Sequence, residues 1–380
     1  MQNILRKWSV ALFGLVLLLC LTQSLRGVDL RGYLDTVENC ARDRFSTPPY
    51  PISSATNGDY FQSPFTTLLF WPFSLINRGF AKLIFAGLAT FLLLFILKSL
   101  EAEKLSKKSQ FFLLLLFTHA LSDVYLALNP LFLSLGLLWI CHVFSLRSDR
   151  SSHVLSGVCL SFAILIRVTP ALLLPFFLFS SKRRSVLPWT FFFLVIAFGF
   201  SYIVLPDATL WWSRWFRALP LYSQAASVLS PAFQSPMAVI TKWLYSFGLN
   251  TLLISQVESV LGLLFWAFFY VLSFRAEKTN QKDLAFSFLL AALYCAFSRV
   301  WASAFLYCLP LFILTLRRGM KLGFAALSIL YALLPQWLYP RDLWNYLMSN
   351  WALQGLVITA LIVLAIPPET KAFKRTEKHS

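Results

Sequence analysis

Ionisable groups are what this chain has least of. Only 13% of its 380 residues are charged and four are histidine, against 58% apolar and a mean hydropathy of +0.69. Soluble domains carry about a quarter charged residues, so a water-soluble globular protein is excluded. The histidines (119, 142, 153 and 379) are scattered, and no HExxH, GxxxxGK[ST] or GxSxG string occurs. Zinc hydrolysis, P-loop chemistry and a Ser-His-Asp mechanism therefore have no motif to rest on. Six cysteines (20, 40, 141, 159, 295 and 308) form no CxxC pair, and only Cys40 lies in a clearly polar stretch. They read as small apolar packing residues, with no disulfide framework.

Long apolar runs fill the space that charge leaves empty. Twelve candidate crossings are expected, near 8–25, 80–98, 110–123, 126–146, 153–167, 169–181, 187–205, 251–274, 283–298, 300–316, 322–338 and 351–366. Arg6 and Lys7 precede the first run, which is read as an uncleaved helix, longer than a signal-peptide core. With the N-terminus inside, 21 of the 33 Lys and Arg residues fall in cytoplasmic segments. This positive-inside bias accounts for much of the net charge of +17 without any nucleic-acid partner. The expected fold is all-α, one polytopic membrane domain over residues 1–380 with a basic cytoplasmic tail at 367–380. No repeat of 20–50 residues is visible in the sequence.

Outer segments at 25–79 and 206–250 each hold an aromatic stretch too short to cross, "SPFTTLLFWPFSLIN" (63–77) and "SPMAVITKWLYSFGL" (235–249). Both are expected to be amphipathic helices on the outer interface. Trp211, Trp212 and Trp215 either anchor at headgroup level or line a groove. Lys242 reads as a headgroup contact.

Carboxylates beside a bilayer need water or a partner, so the acidic cluster after the first run is the first place to look for chemistry. Asp29 follows that run closely and is the functional candidate, with a helix-end role as the alternative. Asp35, Glu38 and Asp43 sit at spacings that pair with Arg31 or Arg42 along a surface helix. Arg167 and Arg299, each between two apolar runs, either snorkel to headgroups or offer a forked guanidinium to a phosphate.

The order of short motifs is informative where no single one is. Asp29-Leu30-Arg31-Gly32-Tyr33 is followed by Pro49-Tyr50, then Tyr60-Phe61-Gln62-Ser63-Pro64 running to Trp71-Pro72-Phe73. Ala127-Leu128-Asn129 precedes a helix, "GVCLSFAILIRVTPALLLP" carries Arg167, and "SVLSPAFQSP" and "SRVWASAFLYCLP" complete the series. This series resembles the GT-C superfamily of integral-membrane glycosyltransferases, especially the bacterial polyprenyl-phosphate-mannose-dependent alpha-mannosyltransferases. Where those enzymes carry a histidine after the tryptophan, Trp301 is followed by Ala302-Ser303-Ala304.

The resemblance implies inverting transfer of a hexose such as mannose from a polyprenyl-phosphate donor to a lipid or glycan acceptor. It places that chemistry at the outer face of the cytoplasmic membrane, with membrane lipids as surroundings and no cofactor. It makes Asp29 the base, Arg167 and Arg299 the donor-phosphate ligands, and Tyr33, Tyr60, Asn129 and Trp301 substrate contacts. A transporter and a lipid-linked polysaccharide ligase or polymerase are the rival readings. The topology is open to direct test, since cysteines introduced at Asp59 or Gln224 should react with an impermeant thiol reagent in intact cells. Protection at both positions would invert the charge-based orientation.

Overall fold

The computed structural model describes residues 28–50, 63–127, 130–180, 183–225, 233–298, 302–319, 322–332, 334 and 340–366. Every regular element among them is helical. In chain order they are α1 (Val28–Arg42), α2 (Pro64–Ser74), α3 (Arg78–Ser99), α4 (Lys107–Ala127), α5 (Leu131–Ser145) and α6 (Arg150–Ile166). A 3₁₀ helix (Thr169–Leu173) leads to α7 (Leu174–Phe179), α8 (Val186–Val204), α9 (Ala208–Ala225), α10 (Pro236–Ser246), α11 (Thr251–Lys278) and α12 (Lys282–Cys295). Another 3₁₀ helix (Ala302–Cys308) leads to α13 (Leu309–Arg317), α14 (Leu322–Ala332), α15 (Arg341–Tyr346), a π-helical turn (Leu347–Trp351) and α16 (Leu353–Ala365).

Three described helices, α3, α8 and α11, are long and apolar enough to cross a membrane, and the bent pair at 342–349 and 353–365 makes a fourth if it is one span. Only 11% of the apolar window of α11 is buried inside the protein, so most of its surface is available to lipid. The shorter apolar helices α5 and α6, of 15 and 17 residues, coincide with expected crossings. At 1.5 Å per residue they reach about 22–26 Å, less than the roughly 30 Å hydrocarbon core. Twelve separate full-length spans are therefore more than the described helices supply. The first expected crossing, at 8–25, lies outside the described residues.

Both short aromatic stretches form helices, α2 and α10, each 11 residues long. Each begins at a Ser-Pro pair. Ser63 and Ser235 are N-caps whose side chains accept the N–H of Thr66 and Ala238, and proline occupies the first helical position.

The chain divides into two compact units. The first holds residues 18–96 and 123–227, and the second holds 1–17, 97–122 and 228–380. In the first unit α6 packs closely on its neighbours. A Cβ on Gly157 would lie 2.4 Å from Trp189 Cβ and 2.9 Å from the Thr190 backbone nitrogen, so only glycine admits α8 at this distance. Ser161 Oγ donates to Thr190 O at 2.9 Å along the same seam. In the second unit α12 is the buried axis, with every residue from Leu284 to Cys295 inside. A helix that is apolar on all sides has no surface to offer water.

Arg183 is a cation in the interior. It is fully buried in the first unit, donates to His142 Nδ1 at 2.8 Å and Ser145 Oγ at 3.2 Å, and lies 5.1 Å from the Phe176 ring centre. Arginine only donates, so His142 accepts at Nδ1 and carries its proton on Nε2. This cation fastens the end of α5 to the turn before α8. Arg183→Ala is expected to destabilise the protein by about 3 kcal/mol, the scale for removing one partner of a buried polar pair. Its exposed neighbour Arg184 should tolerate alanine with little change, and thermal unfolding of the two purified variants compares them.

Candidate active site

Helix breaks create the local chemistry around Arg167. Helix α6 ends at Ile166, and the Arg167 N–H still reaches Ala163 O at 2.9 Å, but its backbone is extended (φ −145°, ψ 132°). Pro170 lacks an N–H and disfavours helix in the residue before it, so the last carbonyls of α6 have no intrahelical partners. Thr66, in the third position of α2, supplies one. Its hydroxyl donates to Leu165 O at 2.9 Å, two residues before Arg167. Because that proton is committed, the 2.9 Å contact between Ser63 Oγ and Thr66 Oγ1 uses the serine proton, while Ser63 Oγ also accepts the Thr66 N–H. Ser63, Thr66 and Thr67 are completely buried, and Arg167 itself is half-buried.

A comparable lock is found in the second unit. Ser235 Oγ donates to Phe297 O at 2.5 Å, two residues before position 299 in the sequence. The adjacent Gln234 ties three elements together. Its side chain donates to Met348 O at 3.2 Å and accepts the Gly355 N–H at 3.0 Å, and its carbonyl accepts the Tyr294 hydroxyl at 2.9 Å. A Cβ on Gly355 would lie 2.9 Å from Gln234 O, so this approach requires glycine.

Lys242 is buried rather than at headgroup level. Its Nζ donates to Phe233 O at 2.8 Å and Met348 O at 2.7 Å.

On α1 the acidic residues behave as surface partners. Glu38 pairs with Arg42 one turn on, as its spacing predicts, and also with Arg78 at the start of α3, which lies 3.0 Å from Asp35 as well. Arg78 therefore clamps α1 to the end of the first long span. Asp43 is held below the usual carboxylate range by the hydroxyls of Ser46 and Thr47. The turn after α1 contains two non-glycine residues in the left-handed region, Arg44 (φ 50°) and Phe45 (φ 57°). That strain is offset by burial of Phe45, whose carbonyl accepts the Trp211 indole N–H at 3.0 Å and whose ring meets Trp71 edge-on at 5.5 Å. Trp211, Trp212 and Trp215 are all buried, so they are packing residues of the first unit rather than an interfacial belt.

Tyr33 is half-buried and stacks on Phe70 with ring centres 6.5 Å apart. Asp29 lies in the first turn of α1, where the backbone alone is described. Tyr60, Asn129, Arg299 and Trp301 lie outside the described residues. Among the described residues no group of His, Cys, Asp and Glu is arranged to hold a metal ion. Sequence reasoning missed Thr66, Arg78, Gln234 and Ser235. The one available signal for two of them was the Ser-Pro pair, an N-cap signature at 63–64 and again at 235–236.

A family model described as Glycosyltransferase family 87 matches residues 60–299, well over half of the chain. The chain belongs to glycosyltransferase family 87, a GT-C-type family of membrane glycosyltransferases. No curated protein and no solved structure matches it. Within this glycosyltransferase the matched region runs from Tyr60 to Arg299, taking in α2, Asn129, Arg167 and α10 to α12, while Asp29, Tyr33 and Trp301 fall outside it.

The glycosyltransferase should show a pH signature of Lys242, whose ammonium is pushed down to about 7 by burial, from an ordinary 10.5. A folded value below the unfolded one means that the folded chain binds fewer protons between the two. The penalty is therefore complete below about pH 7 and declines as pH rises towards 10. Thermal stability of wild type should gain on that of Lys242→Met across this window, and parallel curves would show that the residue is not titrating there.

Proposed function

We propose that this family 87 glycosyltransferase moves a sugar, a hexose such as mannose, from a polyprenyl-phosphate donor to a lipid or glycan acceptor at the outer face of the cytoplasmic membrane. The observation that carries the donor reading is the Arg167 turn, a guanidinium at a broken helix end whose preceding carbonyl is held by a buried hydroxyl. A forked cation in a fixed backbone suits two oxygens of a phosphate better than a flexible ammonium does. This reading gives Arg299 the same role, and Tyr33, Tyr60, Asn129 and Trp301 contact the substrates.

In this reading Asp29 removes the proton of the acceptor hydroxyl as that oxygen attacks the anomeric carbon. The lipid phosphate departs as an anion whose charge the two arginines stabilise. The leaving group needs no proton, so one carboxylate suffices and a single displacement inverts the anomeric centre. Asp35 and Glu38 already serve as ion-pair partners of Arg78, a structural task that turns the choice of base towards Asp29.

Asp29→Asn keeps the side-chain size but removes the proton acceptor. Sugar transfer should fall by roughly 10²- to 10⁴-fold, the usual worth of a positioned base. Asp35→Asn should cost little by comparison. Both are measured with purified protein and a polyprenyl-phosphate sugar, with expression and melting temperature as controls. Normal transfer by Asp29→Asn would remove the base from this loop position.

A further inference from the structure

The two units repeat one arrangement. In the first, the Ser-Pro-capped helix α2 leads through Asn77, whose side chain accepts the Gly79 N–H at 2.8 Å, into the long span α3. In the second, the Ser-Pro-capped helix α10 leads through Asn250, whose side chain accepts the Leu253 N–H at 2.8 Å, into the long span α11. Further along, α6 ends before Arg167, a 3₁₀ helix follows, and α7 begins with Pro175 near its start. Likewise α12 ends at Cys295, four residues before position 299, a 3₁₀ helix (Ala302–Cys308) follows, and α13 begins with Pro310 near its start. The first copy differs by the helices α4 and α5 between its span and its arginine helix. That interruption pulls the matching features out of any short sequence period.

In both copies a hydroxyl from the first turn of the capped helix donates to the carbonyl two residues before the arginine. It comes from Thr66 to Leu165 O in one and from Ser235 to Phe297 O in the other. The donors occupy different positions for a plain reason. The third position of α2 is a threonine, whereas that of α10 is Ala238, so the N-cap serine does both jobs there, accepting the Ala238 N–H at 3.1 Å while donating to Phe297. A bare cap needs only to accept an N–H from its own helix. The extra donation across more than 60 residues of sequence in one case and 99 in the other is not required for capping.

We propose that the glycosyltransferase contains two copies of an arginine-presenting module, and that Thr66 and Ser235 are positioning residues that set the backbone from which Arg167 and Arg299 reach a lipid phosphate. The proposal rests on the donor-phosphate reading of those arginines. Removing the hydroxyl frees the carbonyl, the turn loosens, and the guanidinium spends less time in the binding geometry. The arginine's charge is unchanged, so the loss is one of affinity acting through that arginine.

The test uses full-length protein purified in detergent and farnesyl phosphate, a short polyprenyl monophosphate, as the probe. Thr66→Val keeps shape and removes the hydroxyl, and should weaken binding about tenfold, while Thr66→Ser restores it to within about twofold. Arg167→Ala should also weaken binding, and adding Thr66→Val to it should cost nothing further, because two residues acting through one contact are not additive. Ser235→Ala with Arg299→Ala is the parallel pair, which carries the test if Thr66→Val fails to fold.

Additive losses in both pairs, or full affinity in the two hydroxyl variants beside weakened arginine variants, would overturn the positioning role and leave the phosphate reading intact. If neither arginine variant loses affinity, or wild type does not bind the probe, the phosphate reading falls and takes this inference with it.

Discussion

A helix that stops in apolar surroundings leaves carbonyls that no water can reach, and the protein must bring a donor to each. This constraint governs the Arg167 turn and the segment that leads to position 299. At the end of α6 the donor is Thr66, and beyond α12 it is Ser235. The two residues are far from those carbonyls in sequence, so satisfying them fastens the capped helices α2 and α10 to the broken ones. Gln234 and Lys242 extend the same logic in the second unit, where both direct donors to Met348 O within the π-helical turn. An irregular backbone, useful for presenting a side chain to a substrate, is kept in one arrangement by buried polar groups that have no better partner.

Charge is handled with similar economy. Arg183 is buried against His142, Ser145 and the Phe176 ring, where it joins the end of α5 to the following turn. Arg78 collects two carboxylates of α1 and sets that helix at the start of the first long span. The strained turn that follows is held by Trp211 through a hydrogen bond and an aromatic cluster. Three kinds of anchoring, ionic, polar and aromatic, thus converge on the short stretch that begins with Asp29. For the proposed base Asp29, such anchoring of α1 would supply the fixed distance that a proton acceptor needs.

Helical class, membrane character and glycosyltransferase family were legible in the sequence because each depends on features that survive in one dimension. Apolar runs are local, positive-inside bias is a count along the chain, and the motif order is linear. The Ser-Pro starts of α2 and α10 were local too, so both short helices appeared where the aromatic stretches predicted them. The tryptophans of α9 and the cation Lys242 were misread for the opposite reason. Nothing in their neighbours distinguishes a side chain that faces a headgroup from one that faces a carbonyl across the fold.

By itself the sequence determined that this chain must be helical and must lie in a membrane, since so few charges and so many apolar residues leave no other solvent in which to bury them. It also carried the family, through short motifs in a recognisable order. Tertiary structure decided what holds the arginine turns, because the donor and the carbonyl of each hydroxyl lock are 62 and 99 residues apart and their pairing follows from packing. It decided the recurrence of one module in two units as well. Helices inserted between matching elements remove periodicity from the sequence, while in each unit a hydroxyl donates to the carbonyl two residues before the arginine position.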